Sequence, residues 1–194
     1  MSILSDVLTY NQTFVEDQNY EVLRTDKYPK RKMVIVSCMD TRLIELLPKS
    51  MGLKNGDAKI IKNAGAIVNE PFGSIMRSIL VALYALKAEE VYVIGHHACG
   101  MIGLHADPLI DTMKERGIDP NTIDVLVNSG VELERWLKGF NSAEDGVRNS
   151  VNLIQNHPLL PPNTPVHGLI IDPETGKLDL VIDGYGVIEE AINA

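Results

Sequence analysis

Val91-Tyr92-Val93-Ile94-Gly95-His96-His97-Ala98-Cys99-Gly100 decides how this chain is read. The first four residues are all β-branched or aromatic, the composition of a buried strand. The strand runs into His96 and Cys99, one short turn apart, so an imidazole nitrogen and a thiolate can converge on one ion. The only other cysteine is Cys38, in Ser37-Cys38-Met39-Asp40-Thr41-Arg42. It too closes an apolar run, Met33-Val34-Ile35-Val36. Two strand ends, two thiols and one imidazole suggest a zinc site with two cysteine ligands and one histidine.

Working outward, the remaining pattern alternates strands and helices. A helix is expected over Leu43–Ser50, then a turn at Lys54-Asn55-Gly56-Asp57 and a second strand over Ala58–Lys62 that ends at Asn63-Ala64-Gly65-Ala66. Gly73–Lys87 carries Ile75, Ile79, Ala82, Leu83 and Leu86 at helical spacing. Leu80 and Val81 widen that stripe, which predicts a helix covered nearly all round, in a core or at a subunit interface. From Cys99 to Phe140 the chain reads as broken helix, with turns at Gly117-Ile118-Asp119-Pro120 and Asn128-Ser129-Gly130. Ser142-Ala143-Glu144-Asp145 resembles a capping box opening a helix with Val147, Val151 and Ile154 on one face. Val166–Ile171 and Leu178–Ile182 read as strands joined by Asp172-Pro173-Glu174-Thr175-Gly176. Residues 1–28 are expected to form an N-terminal helical arm, and residues 29–194 a single α/β domain.

Such alternation implies a parallel sheet, in which ligands bind beyond the carboxyl ends of the strands where strand order reverses. If the spatial order runs 2-1-3, Cys38 and His96 meet at that switch point.

Composition narrows the function. At 194 residues, 45% hydrophobic and 23% charged, the chain fits one globular domain. A net charge of −8 argues against a nucleic-acid surface. The longest apolar run, Ile79–Leu86, is far short of the roughly 20 residues of a membrane span. No basic segment followed by an apolar one opens the chain, so a cytoplasmic location is expected. In that reducing compartment metal binding or catalysis is the better reading of the two cysteines than a disulfide.

Two cysteines cannot close a four-cysteine or three-cysteine structural site within one chain. Three ligands and an open position are the arrangement of a catalytic zinc, which acidifies bound water toward a pKa of ~7. Asp40 stands two residues after Cys38 and Arg42 four after it. Two arrangements fit that spacing: Asp40 binds the ion directly, or it accepts a hydrogen bond from water on the ion. A bidentate pair with Arg42 would hold Asp40 ionised and draw it off the ion. Asn63 and Gly65 sit at the same sheet edge.

Cys38-x-Asp40-x-Arg42 followed by His96-x-x-Cys99 resembles the signature of the β-class carbonic anhydrases. Lys62-Asn63-Ala64-Gly65, Gly95 and Gly100 match that family as well, and the length resembles its short prokaryotic branch. The resemblance implies one Zn2+ per chain on Cys38, His96 and Cys99, with Asp40 and Arg42 as a catalytic dyad. It implies reversible hydration of carbon dioxide to bicarbonate by a zinc-bound hydroxide. The fold implied is α/β, a mostly parallel central sheet of order 2-1-3-4 with an antiparallel C-terminal edge strand, flanked by helices. The assembly implied is a homodimer or tetramer with the N-terminal helix draped on a partner.

Relatives of that fold hydrolyse carbonyl sulfide or carbon disulfide, the alternative substrates here. A non-catalytic zinc-stabilised interaction protein is the second class of reading; Arg42 argues against it, since a structural site needs no group to restrain the aspartate. His97 departs from the family, which usually has a small residue there, and packing is its expected role. His105 is expected to be solvated, and His157 and His167 carry no assigned role.

Overall fold

The computed structural model describes residues 2–193, with side chains for 2–189. The strands are β1 (Met33–Cys38), β2 (Ala58–Asn63), β3 (Glu90–His96), β4 (Val166–Ile171) and β5 (Leu178–Ile182). They lie side by side in the order β2-β1-β3-β4-β5. All neighbours pair in parallel except β4 and β5, which are antiparallel. This is the mostly parallel α/β sheet with an antiparallel edge that the sequence predicts.

β1 is buried at all six positions because both sheet faces are covered. Side chains alternate between faces, and the core follows suit. Val34 and Val36 join one cluster with α3 (Ser74–Tyr84) and α7 (Ala143–Gln155). Met33 and Ile35 join the other, with Leu43 and Leu47 of α2 (Leu43–Ser50). β2 is an edge strand and only half-buried, which explains its mixed composition of Lys59, Ile60, Ile61 and Lys62.

Helix ends follow local chemistry. The Ser142 hydroxyl accepts from the Asp145 N–H at 3.0 Å and starts α7, whose buried stripe is Val147, Val151 and Ile154. The broken stretch resolves into α4 (Ala106–Glu115), α5 (Pro120–Asn128) and α6 (Leu133–Leu137). α8 (Gly184–Asn193) follows β5 and is not expected from the sequence pattern.

Two expectations need correction. α3 is shorter than 73–87 because Lys87 turns left-handed, at φ 62°. On the single chain Met76, Ile79, Ala82 and Leu83 face the sheet, while Val81 is 48% and Tyr84 67% exposed on the outer side. In the N-terminal arm only Ile3–Glu16 forms an α-helix, α1, followed by a single 3-10 turn over Glu21–Leu23. Gln18, at φ 56°, interrupts it. No residue of α1 is buried.

His167, given no role from sequence, is a buried clasp between the sheet and α8. Its ring stacks on Tyr92 with centroids 4.7 Å apart and meets Tyr185 edge-on at 4.7 Å. Its Nδ1 accepts from the Gly184 N–H at 3.1 Å. Burial lowers its pKa below the ordinary 6.5, against the opposing pull of Glu90 and Asp183. The unfolded chain therefore takes up the proton first, and stability falls as pH drops below about 6.5. Urea-unfolding midpoints from pH ~7.5 down to ~5.5 are expected to decline in the wild type. The decline should be shallower in His167→Phe; equal slopes would refute the assignment.

Candidate metal centre

β1 and β3 are parallel neighbours, and Ser37 pairs with Ile94. Their carboxyl ends thus deliver Cys38 and His96 to one point. The chain then turns sharply, with Ala98 left-handed at φ 52°, and returns Cys99 to the same point. The two sulfurs lie 3.9 Å apart. Both sulfurs and an imidazole nitrogen of His96 fall within 4.8 Å of one another, and all three residues are buried.

The tautomer of His96 is set by its neighbour. Nδ1 lies 2.8 Å from the His97 carbonyl oxygen, which can only accept, so Nδ1 carries the proton. Nε2 is then a bare lone pair, and it is buried without a hydrogen-bond partner. Burying such a group without compensation is costly. Facing two sulfurs, it could hold a metal ion together with them.

Burial pushes the Cys38 thiol up. The neighbouring His96 and the backbone N–H groups of Asp40 and Gly65 outweigh it, and the net value falls to about 7. Burial raises Cys99 to about 11, with the Cys38 charge adding to it.

Asp40 is clamped. Arg42 Nε donates to Oδ1 at 3.0 Å, Arg42 Nη2 to Oδ2 at 2.8 Å, and the Arg42 backbone N–H to Oδ1 at 2.9 Å. These bonds hold the Asp40 carboxyl well below the usual carboxylate range. Oδ2 lies 3.8 Å from His96 Nε2, so one carboxylate oxygen faces the metal position. The guanidinium also reaches the Ala98 carbonyl at 3.4 Å, tying the Asp40 loop to the His96–Cys99 turn.

The segment after β2 supports Cys38. The Gly65 N–H donates to Cys38 Sγ at 3.4 Å. Lys62 Nζ donates to the Cys38 carbonyl at 3.1 Å and to Ser37 Oγ at 3.2 Å. Asn63 Nδ2 donates to the Ile67 carbonyl at 2.6 Å. Gly65 has φ +73°, and an added Cβ would lie 2.9 Å from both Met101 Cγ and Phe140 Cε1. Gly65→Ala should therefore cost about 2–4 kcal/mol, the sum of left-handed strain and overpacking. Chemical denaturation would show it; a loss below about 1 kcal/mol would contradict that packing.

Cys38, Asp40, Arg42, His96 and Cys99 are all brought together. His97 is not packed as expected: its backbone N–H donates to the Ile171 carbonyl at 3.2 Å, and its side chain is exposed. His105 is exposed too. His157 sits apart, its Nε2 on the Pro71 carbonyl at 2.8 Å. The contact of Lys62 with the Cys38 backbone has no local sequence signal, because it depends on strand register.

A family model described as carbonic anhydrase matches residues 33–178, from the start of β1 to the start of β5. The chain belongs to the β-carbonic anhydrase family. This β-carbonic anhydrase is 60% identical over 185 residues to "Putative carbonic anhydrase YvdA" of Bacillus subtilis (strain 168), covering 95% of this chain and 94% of that one. Among solved structures it is similar to β-carbonic anhydrase isoform I of Trichomonas vaginalis. The TM-score is 0.87 and the identity 38%, over 95% of this chain and 100% of that one. It is also 27% identical over 157 residues to a carbon disulfide hydrolase of Acidithiobacillus thiooxidans, covering 76% of each chain. No helix among the described residues of this β-carbonic anhydrase is long and apolar enough to cross a membrane.

Proposed function

We propose that this chain is a zinc enzyme that reversibly hydrates carbon dioxide to bicarbonate. The observation that carries the reading is the triangle of Cys38, His96 and Cys99, open on the side where Arg42 restrains Asp40. The donor set fits zinc: thiolate and imidazole ligands suit a borderline-soft ion. A tetrahedral ion with bonds of about 2.3 Å to sulfur spaces two thiolates about 3.8 Å apart, and the sulfurs here are 3.9 Å apart. Bound there, zinc acidifies water toward a pKa of ~7 and supplies a nucleophile at neutral pH.

The chain's own residues do the rest. His96 Nδ1–H, fixed on the His97 carbonyl, keeps Nε2 aimed at the ion. The Gly65 N–H steadies the Cys38 thiolate. Asp40, kept ionised by Arg42, has lone pairs left on Oδ2 to accept a hydrogen bond from the attacking water and orient it toward carbon. Arg42 keeps the carboxylate from collapsing onto the ion. Hydration of carbon dioxide releases one proton for each bicarbonate formed.

The assembly proposed is a homodimer or tetramer. α1 exposes Ile3, Leu4, Val7 and Leu8 and has no fully buried residue, which suits an arm that packs on a second copy. Residues 29–194 are proposed as the catalytic unit. Two free buried cysteines suit a reducing compartment, the cytoplasm.

The test is zinc content together with stopped-flow carbon dioxide hydration at pH about 8.5, above the pKa expected of the bound water. Carbonyl sulfide and carbon disulfide are assayed in parallel. One zinc per chain with carbon dioxide turnover is expected. Faster turnover of a sulfur substrate would reassign the substrate, and a full zinc complement with no turnover of any of the three would sink the enzyme reading.

A further inference from the structure

The end of β1 from Ser37 to Met39 is held by a single segment in four places, two of them on Cys38 itself. Lys62 Nζ donates to its carbonyl and to the hydroxyl of its neighbour Ser37. The Asn63 carbonyl accepts from the Met39 N–H at 2.8 Å. The Gly65 N–H reaches the sulfur. The peptide that follows Cys38 is thereby gripped at both its C=O and its N–H, and the thiolate is steadied at its tip. Of these grips only the two from Lys62 come from a side chain, so they are the ones a substitution can remove cleanly.

We propose that Lys62 is a positioning residue for the metal centre, fixing the direction of the Cys38 ligand through its backbone carbonyl. The inference rests on the zinc reading above. Lys62 sits half-buried on β2, opposite Ser37 in the β1–β2 pairing. Burial lowers its pKa, with the Cys38 and Asp40 charges acting in the other direction. A lysine side chain ordinarily carries its ammonium out to water. This one is turned inward onto two acceptors at the end of β1. Groups that orient a metal ligand from behind usually change metal affinity by about 10- to 100-fold when removed.

The experiment compares wild type, Lys62→Met and Lys62→Arg by zinc competition against a chromophoric chelator, by the charge-transfer spectrum of the cobalt(II) form, and by urea unfolding of the metal-free chains. Lys62→Met should weaken zinc binding roughly 10- to 100-fold and shift the thiolate-to-cobalt band. Lys62→Arg, which keeps a donor, should remain within about threefold of wild type. Lys62→Leu, which also lacks a donor, takes the place of Lys62→Met if the latter does not fold. Wild-type zinc affinity in Lys62→Met would overturn the proposal. So would equal weakening in Lys62→Met and Lys62→Arg, or a loss of metal-free stability with zinc affinity unchanged. Absence of zinc binding by the wild type would instead overturn the zinc reading itself.

Discussion

Cys38→Ser is expected to empty the metal centre and reduce carbon dioxide hydration to background. Serine matches cysteine in shape, but its hydroxyl does not ionise to a soft anion near neutral pH, and the remaining pair is the local His96–Cys99 couple. Metal binding is linked to folding, so stability falls as well. A ligand present at about a thousand times its dissociation constant contributes ~4 kcal/mol. In a chain of this size that is roughly 8–16 °C in Tm. Thermal melts with and without a chelator check both parts: chelated wild type should melt near the serine variant. A serine variant with one zinc per chain and an unchanged melt would remove Cys38 from the ligand set.

Asp40→Ala should separate chemistry from metal binding. Asp40 lies beside the triangle but is held by three hydrogen bonds from Arg42, so zinc content should stay near one per chain. Turnover should fall roughly 10²- to 10⁴-fold, the usual worth of a positioned acid–base group. The sign of its pH dependence also follows. Its pKa is depressed in the fold, so it is ionised, and its pairing with Arg42 intact, at every pH above the ordinary carboxylate value of ~3.9. An activity limb between pH ~6 and ~8 therefore belongs to another group. Zinc loss in Asp40→Ala would make the aspartate a ligand instead.

Much of the fold and of the metal centre is legible in the amino-acid sequence. β1 and β3 are covered on both faces, so they appear as apolar runs, and each ends on a residue of the Cys38–His96–Cys99 cluster. The alternation of strands and helices implies that the sheet is parallel, while the order that joins those ends is implied by the family resemblance and is the one observed. What is not legible depends on left-handed residues and on register. The left-handed Lys87 just beyond the end of α3 and the turn at Ala98 use positive φ at residues with no glycine to announce it. His97 points outward because that turn rotates it away from the core. Lys62 meets Cys38 only once β2 has paired with β1. The outer face of α3, with Val81 and Tyr84, is apolar yet exposed on the single chain.

The two sulfurs that lie 3.9 Å apart are 61 residues apart along the chain. An ion bound between them is therefore also a cross-link. It closes a loop containing α2, β2, α3 and β3, and in chain-entropy terms a closure of that length withdraws about 4 kcal/mol of freedom from the unfolded ensemble. Only His96 and Cys99 are close neighbours in an unfolded chain, so the clasp shuts after β1 has docked beside β3. An ion held there would act as a lock on a finished sheet rather than a seed for it, and its removal is expected to speed unfolding more than it slows refolding.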